Sequence, residues 1–135
     1  MTTLPPLVAV VEDDSQTLKA LSRVLSARGY EVACYDSAER FLLSPPSRLP
    51  GCLVVDIQLE GMSGLDLQRR LRALGSTLPV VVLTGTDDPK VRAESYKLGC
   101  ARYLLKEADG DTLPAVLHSL LHAAETIDGD SPKGQ

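Results

Sequence analysis

The chain has 135 residues, of which 44% are hydrophobic and 24% are charged. This length predicts one domain, and this composition is typical of a folded globular protein, so extensive disorder is excluded. Fourteen basic against eighteen acidic residues give a net charge of −4. That balance argues against direct nucleic-acid binding, which needs a basic excess to neutralise phosphates, and makes divalent cations better candidate ligands.

The cysteines and the N-terminus indicate a cytoplasmic location. Cys34, Cys52 and Cys100 show no CxxC spacing, which suits a reducing compartment, and we expect all three as thiols in the core. The first residues lack the basic region and apolar run of a signal peptide. No stretch approaches the roughly 18 apolar residues of a membrane span, so no membrane partner is predicted.

Apolar runs rich in β-branched residues predict five strands. Three of them are continuously apolar, as in strands covered on both faces of a parallel sheet. The second run alternates and the fifth is interrupted by Arg102, so both suit the edges of the sheet. The runs are residues 7–11, 30–35, 52–55, 80–83 and 101–105.

Segments with helical periodicity lie between and after these strands. Gly29, Gly75 and Gly99 end three of them, Ser37 is a predicted N-cap, and Pro89 suits a first helical turn. The apolar stripes lie within residues 18–25, 37–42, 67–74, 89–98 and 113–124. The fivefold alternation of strand and helix predicts an α/β fold with a doubly wound parallel sheet. The predicted domain covers residues 7–125, and residues 126–135 have the composition of a flexible tail or linker.

Chemistry in such a sheet is expected at the carboxyl ends of the strands, where ligands bind. Because the ends of parallel strands meet at one edge, the side chains that follow them should converge. The candidates are Glu12, Asp13 and Asp14 after the first strand, Asp56 after the third, Thr84 and Gly85 at the fourth, and Lys106 after the fifth. Asp14 is also a candidate N-cap for the helix that follows it.

Carboxylates gathered around one ammonium and one hydroxyl predict phosphate chemistry. Clustered carboxylates are unfavourable without a cation, and hard oxygen ligands suit Mg²⁺ completed by water and a phosphate. Lys106 would then bind one phosphoryl oxygen and the Thr84 hydroxyl another. Asp56 would act as the nucleophile toward phosphorus. The residues therefore predict Mg²⁺-dependent phosphoryl transfer onto Asp56.

Four segments of the chain resemble the receiver domain of two-component response regulators. They are the acidic strand end at 10–14, the phosphoacceptor segment at 54–59 with the loop at 61–64, the segment 83–85, and the aromatic-x-x-Lys segment at 103–106. The resemblance spans residues 7–125 and implies a flavodoxin-like sheet of strand order 2-1-3-4-5. The segments 37–42 and 61–71 resemble the FixJ-type receivers that often precede a LuxR-type DNA-binding domain.

The resemblance implies a role for each site residue. Asp56 would accept phosphate from a histidine kinase or a phosphotransfer protein, and Thr84, Gly85 and Lys106 would bind the phosphoryl group. Thr84 and Tyr103 would form a switch pair that changes the surface of the fourth helix, fifth strand and fifth helix, through which a homodimer is also implied. Such a domain assists its own phosphorylation and dephosphorylation and is not otherwise an enzyme. The implied ligands of Mg²⁺, or of Mn²⁺ in its place, are Glu12, Asp13, Asp56 and the backbone carbonyl of Gln58.

The sequence departs from the family at two positions. Glu107 follows Lys106 where many receivers have a proline after a cis bond, and Glu60 stands where a proline is usual. A cis bond before a non-proline residue costs ~3 kcal/mol, which favours a trans bond and a different support for Lys106, but the sequence leaves the isomer open. Glu60 adds negative charge near the predicted metal.

The sequence also allows two functions other than phosphoryl transfer to a signalling domain, and it raises one other candidate metal site. A degenerate receiver would bind partners without phosphorylation. An aspartyl-intermediate phosphatase of the haloacid-dehalogenase type would carry a second Asp where Gln58 stands. His118 and His122 have metal-ligand spacing on a helix, but no third ligand accompanies them, so no site is predicted there. Tyr103 also suits plain packing at the edge of the sheet.

Overall fold

The structure, a computed structural model, describes residues 4–130, with side-chain surroundings to His122. Its centre is a five-stranded parallel sheet of order β2-β1-β3-β4-β5, which confirms the predicted fold class and strand order. The alternating run and the run interrupted by Arg102 are the two edge strands, as predicted. The strands are β1 (Leu7–Val11), β2 (Glu31–Tyr35), β3 (Cys52–Val55), β4 (Val80–Thr84) and β5 (Arg102–Leu105).

Five helices join and flank the strands. They are α1 (Ser15–Ala27), α2 (Ala38–Leu43), α3 (Gly64–Ala73), α4 (Pro89–Lys97) and α5 (Leu113–Asp130). A single α-helical turn at Lys106–Asp109 and a 3-10 turn at Gly110–Thr112 precede α5, and neither was predicted. The helix α5 continues through the first five residues of the segment assigned to a linker, and residues 131–135 lie outside the described part.

The helices α1 and α2 begin a few residues after the carboxyl ends of β1 and β2, because a short polar side chain caps each helix at that point. Asp14 accepts the Thr17 N–H at 3.0 Å and begins α1, as its N-cap role predicts. Ser37 accepts the Arg40 N–H at 3.1 Å and begins α2. The chain therefore turns from strand to helix within a few residues, and the strand-end side chains stay at the sheet edge.

The sheet separates two apolar cores. One lies under α2, α3 and α4, and the other under α1 and α5. Successive residues of a strand point to opposite faces, so Val10 enters the second core and Val11 the first. Both faces of the central strands are buried in these cores, which explains why β1, β3 and β4 are apolar at almost every position.

The cysteine prediction was wrong for one residue of three. Cys52 and Cys100 are buried, and burial raises the pKa of the Cys52 thiol to about 12. Cys34 is exposed, because it lies on the edge strand β2, where the cover of the core ends. Among the helices that the structure describes, none is long and apolar enough to cross a bilayer.

Candidate functional site

Lys106 joins two of the predicted acidic residues at the carboxyl edge of the sheet. Its Nζ lies 2.8 Å from Glu12 Oε1 and 2.8 Å from Asp56 Oδ2. Glu12 and Asp56 follow the paired residues Val11 and Val55 of neighbouring strands, so their carboxylates emerge side by side. Lys106 follows β5, which is two strands away from β3, and its long side chain spans the end of β4 to reach them.

This cluster is negative at its centre. Glu12 is 2% exposed and Asp56 is 5% exposed. Burial raises the pKa of Glu12, although the hydrogen bonds from Lys106 and from the Asp14 N–H oppose that change. Burial by itself would lower the pKa of Lys106, but the hydrogen bonds to Asp56 and Glu12 outweigh it and raise that pKa. When ionised, the two carboxylates exceed the ammonium by one charge, which favours binding a further cation.

Asp13 contacts the loop that follows β3. It is exposed, and its Oδ2 accepts the Glu60 N–H at 3.0 Å. Among the residues whose side chains are described, no three His, Cys, Asp or Glu stand ready to hold a metal ion. The structure thus brings Glu12 and Asp56 together around Lys106 and uses Asp13 to hold the loop that follows β3.

The loop after Asp56 is closely packed against the end of β3. Asp56 Oδ1 accepts the Gln58 N–H at 3.0 Å, and the Gly64 N–H donates to the Ile57 carbonyl at 3.0 Å. A Cβ added at Gly64 would lie 2.4 Å from the Asp56 carbonyl oxygen, so only glycine fits there. The sequence places Gly64 in the phosphoacceptor segment but does not show this contact.

Glu39 contacts the same loop, and the sequence did not predict it as a site residue. Its Oε2 accepts the Met62 N–H at 2.7 Å from the first turn of α2. The one available signal was the resemblance of segment 37–42, which assigned Glu39 no role.

The predicted switch residues Thr84 and Tyr103 are both buried and are joined through Thr86. The Thr84 hydroxyl oxygen accepts the Thr86 N–H at 3.4 Å, and the Tyr103 hydroxyl donates to the Thr86 carbonyl at 3.1 Å. The Arg92 guanidinium lies 5.4 Å from the centroid of the Tyr103 ring. Burial raises the Tyr103 pKa, and Arg92 opposes this. Gly85 has open space where a side chain would be.

The segment after Lys106 is supported by its own residues. Asp109 Oδ2 accepts the Leu105 N–H at 3.0 Å, and the Thr112 hydroxyl donates to the Asp109 carbonyl at 2.6 Å. The bond between Lys106 and Glu107, whose isomer the sequence left open, is trans, since the described residues include no cis peptide. A helical turn therefore supports Lys106 here.

Comparison with known proteins decides the family. The family model described as "Response regulator receiver domain" matches residues 8–118. The chain belongs to the response regulator receiver domain family. As a receiver domain it shares 32% identity over 118 residues with the transcriptional regulatory protein FixJ of Bradyrhizobium diazoefficiens, covering 87% of this chain and 58% of that protein. It shares 29% over 127 residues with the response regulator protein TodT of Pseudomonas putida, covering 94% of this chain and 56% of that protein.

Solved structures match this receiver domain at a similar sequence identity. A response regulator receiver protein from Pseudomonas putida aligns with a TM-score of 0.78 and 30% identity, covering 87% of this chain and 98% of that one. Full-length FixJ from B. japonicum aligns with a TM-score of 0.81 and 32% identity, covering 91% of this chain and 61% of that one. The receiver domain thus spans between half and two thirds of the length of its curated relatives.

Proposed function

We propose that this receiver domain is a phosphoacceptor whose Asp56 takes a phosphoryl group from a histidine kinase or a phosphotransfer protein. The observation that carries the proposal is the Asp56 carboxylate, buried at the strand end with Lys106 Nζ at 2.8 Å. An Asp56 oxygen would form the bond to phosphorus while the bond from phosphorus to the donor nitrogen breaks, and the released imidazole takes a proton. Lys106 would then pair with a phosphoryl oxygen.

The donor set fits a hard divalent cation. Carboxylate and carbonyl oxygens suit Mg²⁺, which needs only one or two carboxylates when water and phosphate complete its shell. Glu12, Asp13, Asp56 and the Gln58 carbonyl would together hold it, directly or through its bound water, and Mn²⁺ suits the same oxygens. When bound, the ion would neutralise charge on the phosphoryl oxygens. Asp13 must share or exchange its hydrogen bond to the Glu60 N–H to take part.

Phosphorylation would act on the output surface through Thr84, Thr86 and Tyr103. A Thr84 hydroxyl that turns to donate to the phosphoryl group gives up its contact with the Thr86 N–H, while the Gly85 backbone adds a phosphate contact. Thr86 also accepts from Tyr103, so the Tyr103 ring would follow. This changes the surface formed by α4, β5 and α5, through which a homodimer or an output domain is controlled. The domain assists its own phosphorylation and dephosphorylation in the cytoplasm.

Intact-mass measurement with a small phosphodonor and Mg²⁺ tests the proposal. We expect a stable gain of one phosphoryl group that Asp56→Asn lacks and that Asp36→Asn, at an exposed carboxylate paired with Arg40, retains. No gain would favour the degenerate receiver, a hypothesis that rests on Glu60 and Glu107 at positions where the family usually has proline. Rapid release of free phosphate would favour the phosphatase.

A further inference from the structure

The loop after Asp56 is anchored through the backbone N–H groups of alternate residues. Three of the four acceptors are carboxylates that come from three different elements or strand ends. The bonds are Gln58 N–H to Asp56 Oδ1 at 3.0 Å, Glu60 N–H to Asp13 Oδ2 at 3.0 Å, Met62 N–H to Glu39 Oε2 at 2.7 Å, and Gly64 N–H to the Ile57 carbonyl at 3.0 Å. The proposed function uses Asp56 and Asp13 for other purposes, but it does not use Glu39.

Glu39 is presented to the loop from a fixed position. The helix α2 begins at the Ser37 cap, and its Ala38 and Phe41 are buried in the core beside α3. The Phe41 ring packs edge-on against Tyr35 with centroids 5.3 Å apart. An anchored helix turn limits the movement of the carboxylate, which lowers the entropy lost when it binds the loop.

The loop backbone also fits closely around the Glu39 carboxylate. Gly61 has φ +76°, and a Cβ added there would lie 2.5 Å from Glu39 Oε2. The glycine therefore serves both the turn and the close approach of the carboxylate. The contact with Met62 is thus part of a shaped junction between α2 and the loop.

We infer that Glu39 is a positioning residue for the metal and phosphoryl site, acting through the loop that carries the Gln58 carbonyl. The inference rests on the proposed function. When Asp13 and Asp56 share their oxygens with a cation, their bonds to the Glu60 and Gln58 N–H groups weaken. The Met62 bond does not compete with the cation, so Glu39 keeps the loop in place while the metal binds.

Three substitutions separate the hydrogen bond from the charge. Glu39→Gln removes the charge and keeps an acceptor oxygen at the same reach, whereas Glu39→Met is of similar length and has no such acceptor. Glu39→Asp keeps the charge but withdraws the acceptor by one methylene. The Glu39 side chain is exposed, so all three variants should fold, which thermal unfolding checks.

The test is a titration of the ¹⁵N-labelled full chain with Mg²⁺ alone, followed on the backbone amides, together with metal-free hydrogen exchange at Met62. We expect Glu39→Met and Glu39→Asp to bind Mg²⁺ about fivefold more weakly than Glu39→Gln, as for one lost hydrogen bond. Met62 exchange should be faster in those two variants and unchanged in Glu39→Gln. Equal Mg²⁺ affinity in the Met and Gln variants would overturn the inference alone. A wild-type chain that binds no Mg²⁺ would overturn the proposed function and the inference with it.

Discussion

The two segments that bring Asp56 and Lys106 to the same site are supported in opposite ways. The loop after Asp56 takes its anchors from distant parts of the chain, since Asp13 and Glu39 are 47 and 23 residues away from the amides that they accept. The segment after Lys106 is held by Asp109, four residues from the Leu105 amide. Binding of a metal ion should therefore affect the anchors of the first segment and leave the local hydrogen bonds of the second one unchanged.

Gly64→Ala should have the largest effect on stability. It disrupts the loop after Asp56, which we call the distant-anchored segment because its anchors come from distant parts of the chain. The new methyl group would meet the Asp56 carbonyl at 2.4 Å and the Ile57 Cα at 2.8 Å, and both are backbone atoms that cannot rotate away. We expect a loss of about 3 kcal/mol in the free energy of unfolding, measured by urea denaturation. Gly110→Ala is the matched control in the other segment: it has open space and helical dihedrals and should be neutral or slightly stabilising. Equal losses in the two variants would contradict the comparison.

Lys106→Met removes the group that the two segments share. Glu12 and Asp56 are then buried side by side without an ammonium, at a cost of about 2 kcal/mol near neutral pH. Burial already raises the pKa of Glu12, and loss of the ammonium would raise it further. The contribution of Glu12 to the stability of the fold is therefore fully present below its ordinary pKa of 4.5 and is lost as pH rises through the folded value. Denaturation at pH 5 and pH 8 should show a larger deficit at pH 8. Lys97→Met, at an exposed lysine, should show no such pH dependence.

Asp109→Ala tests the locally supported segment. The partly buried Leu105 N–H loses its acceptor, so we expect a loss of about 1 kcal/mol in unfolding free energy and recovery in Asp109→Asn. Mg²⁺ affinity, measured by calorimetry, should equal that of the wild type, because none of the proposed ligands is on this segment. A drop in affinity matching that of Glu39→Met would show that the two segments are coupled.

What the sequence could predict follows from the same distinction. Strand periodicity and the meeting of parallel strand ends were enough to bring Glu12, Asp56 and Lys106 together. The path of a loop is not periodic, so the sequence could not show that Glu39 meets Met62 or that Thr86 joins the switch residues. The same holds for the hydrogen bond between Asp13 and the Glu60 N–H, which depends on where the loop passes.

The smallest expected effect is the pH dependence of the stability that Asp66 contributes. It tests a contact between neighbouring residues at the end of the distant-anchored segment. Asp66 and Ser63 form a capping box at the start of α3, and the hydrogen bonds that the Ser63 N–H and hydroxyl donate to the Asp66 carboxylate lower its pKa from the ordinary 3.8. A lowered folded pKa gives stability that is present above 3.8 and is lost as pH falls through the folded value. The difference in thermal midpoint between wild type and Asp66→Asn should therefore be constant from pH 8 to about 5 and should shrink in stronger acid. Mg²⁺ affinity should not change, since loss of the cap loosens the start of α3 without releasing the Met62 anchor. A weaker Mg²⁺ affinity would mean that the loop depends on its local end as well as on Glu39.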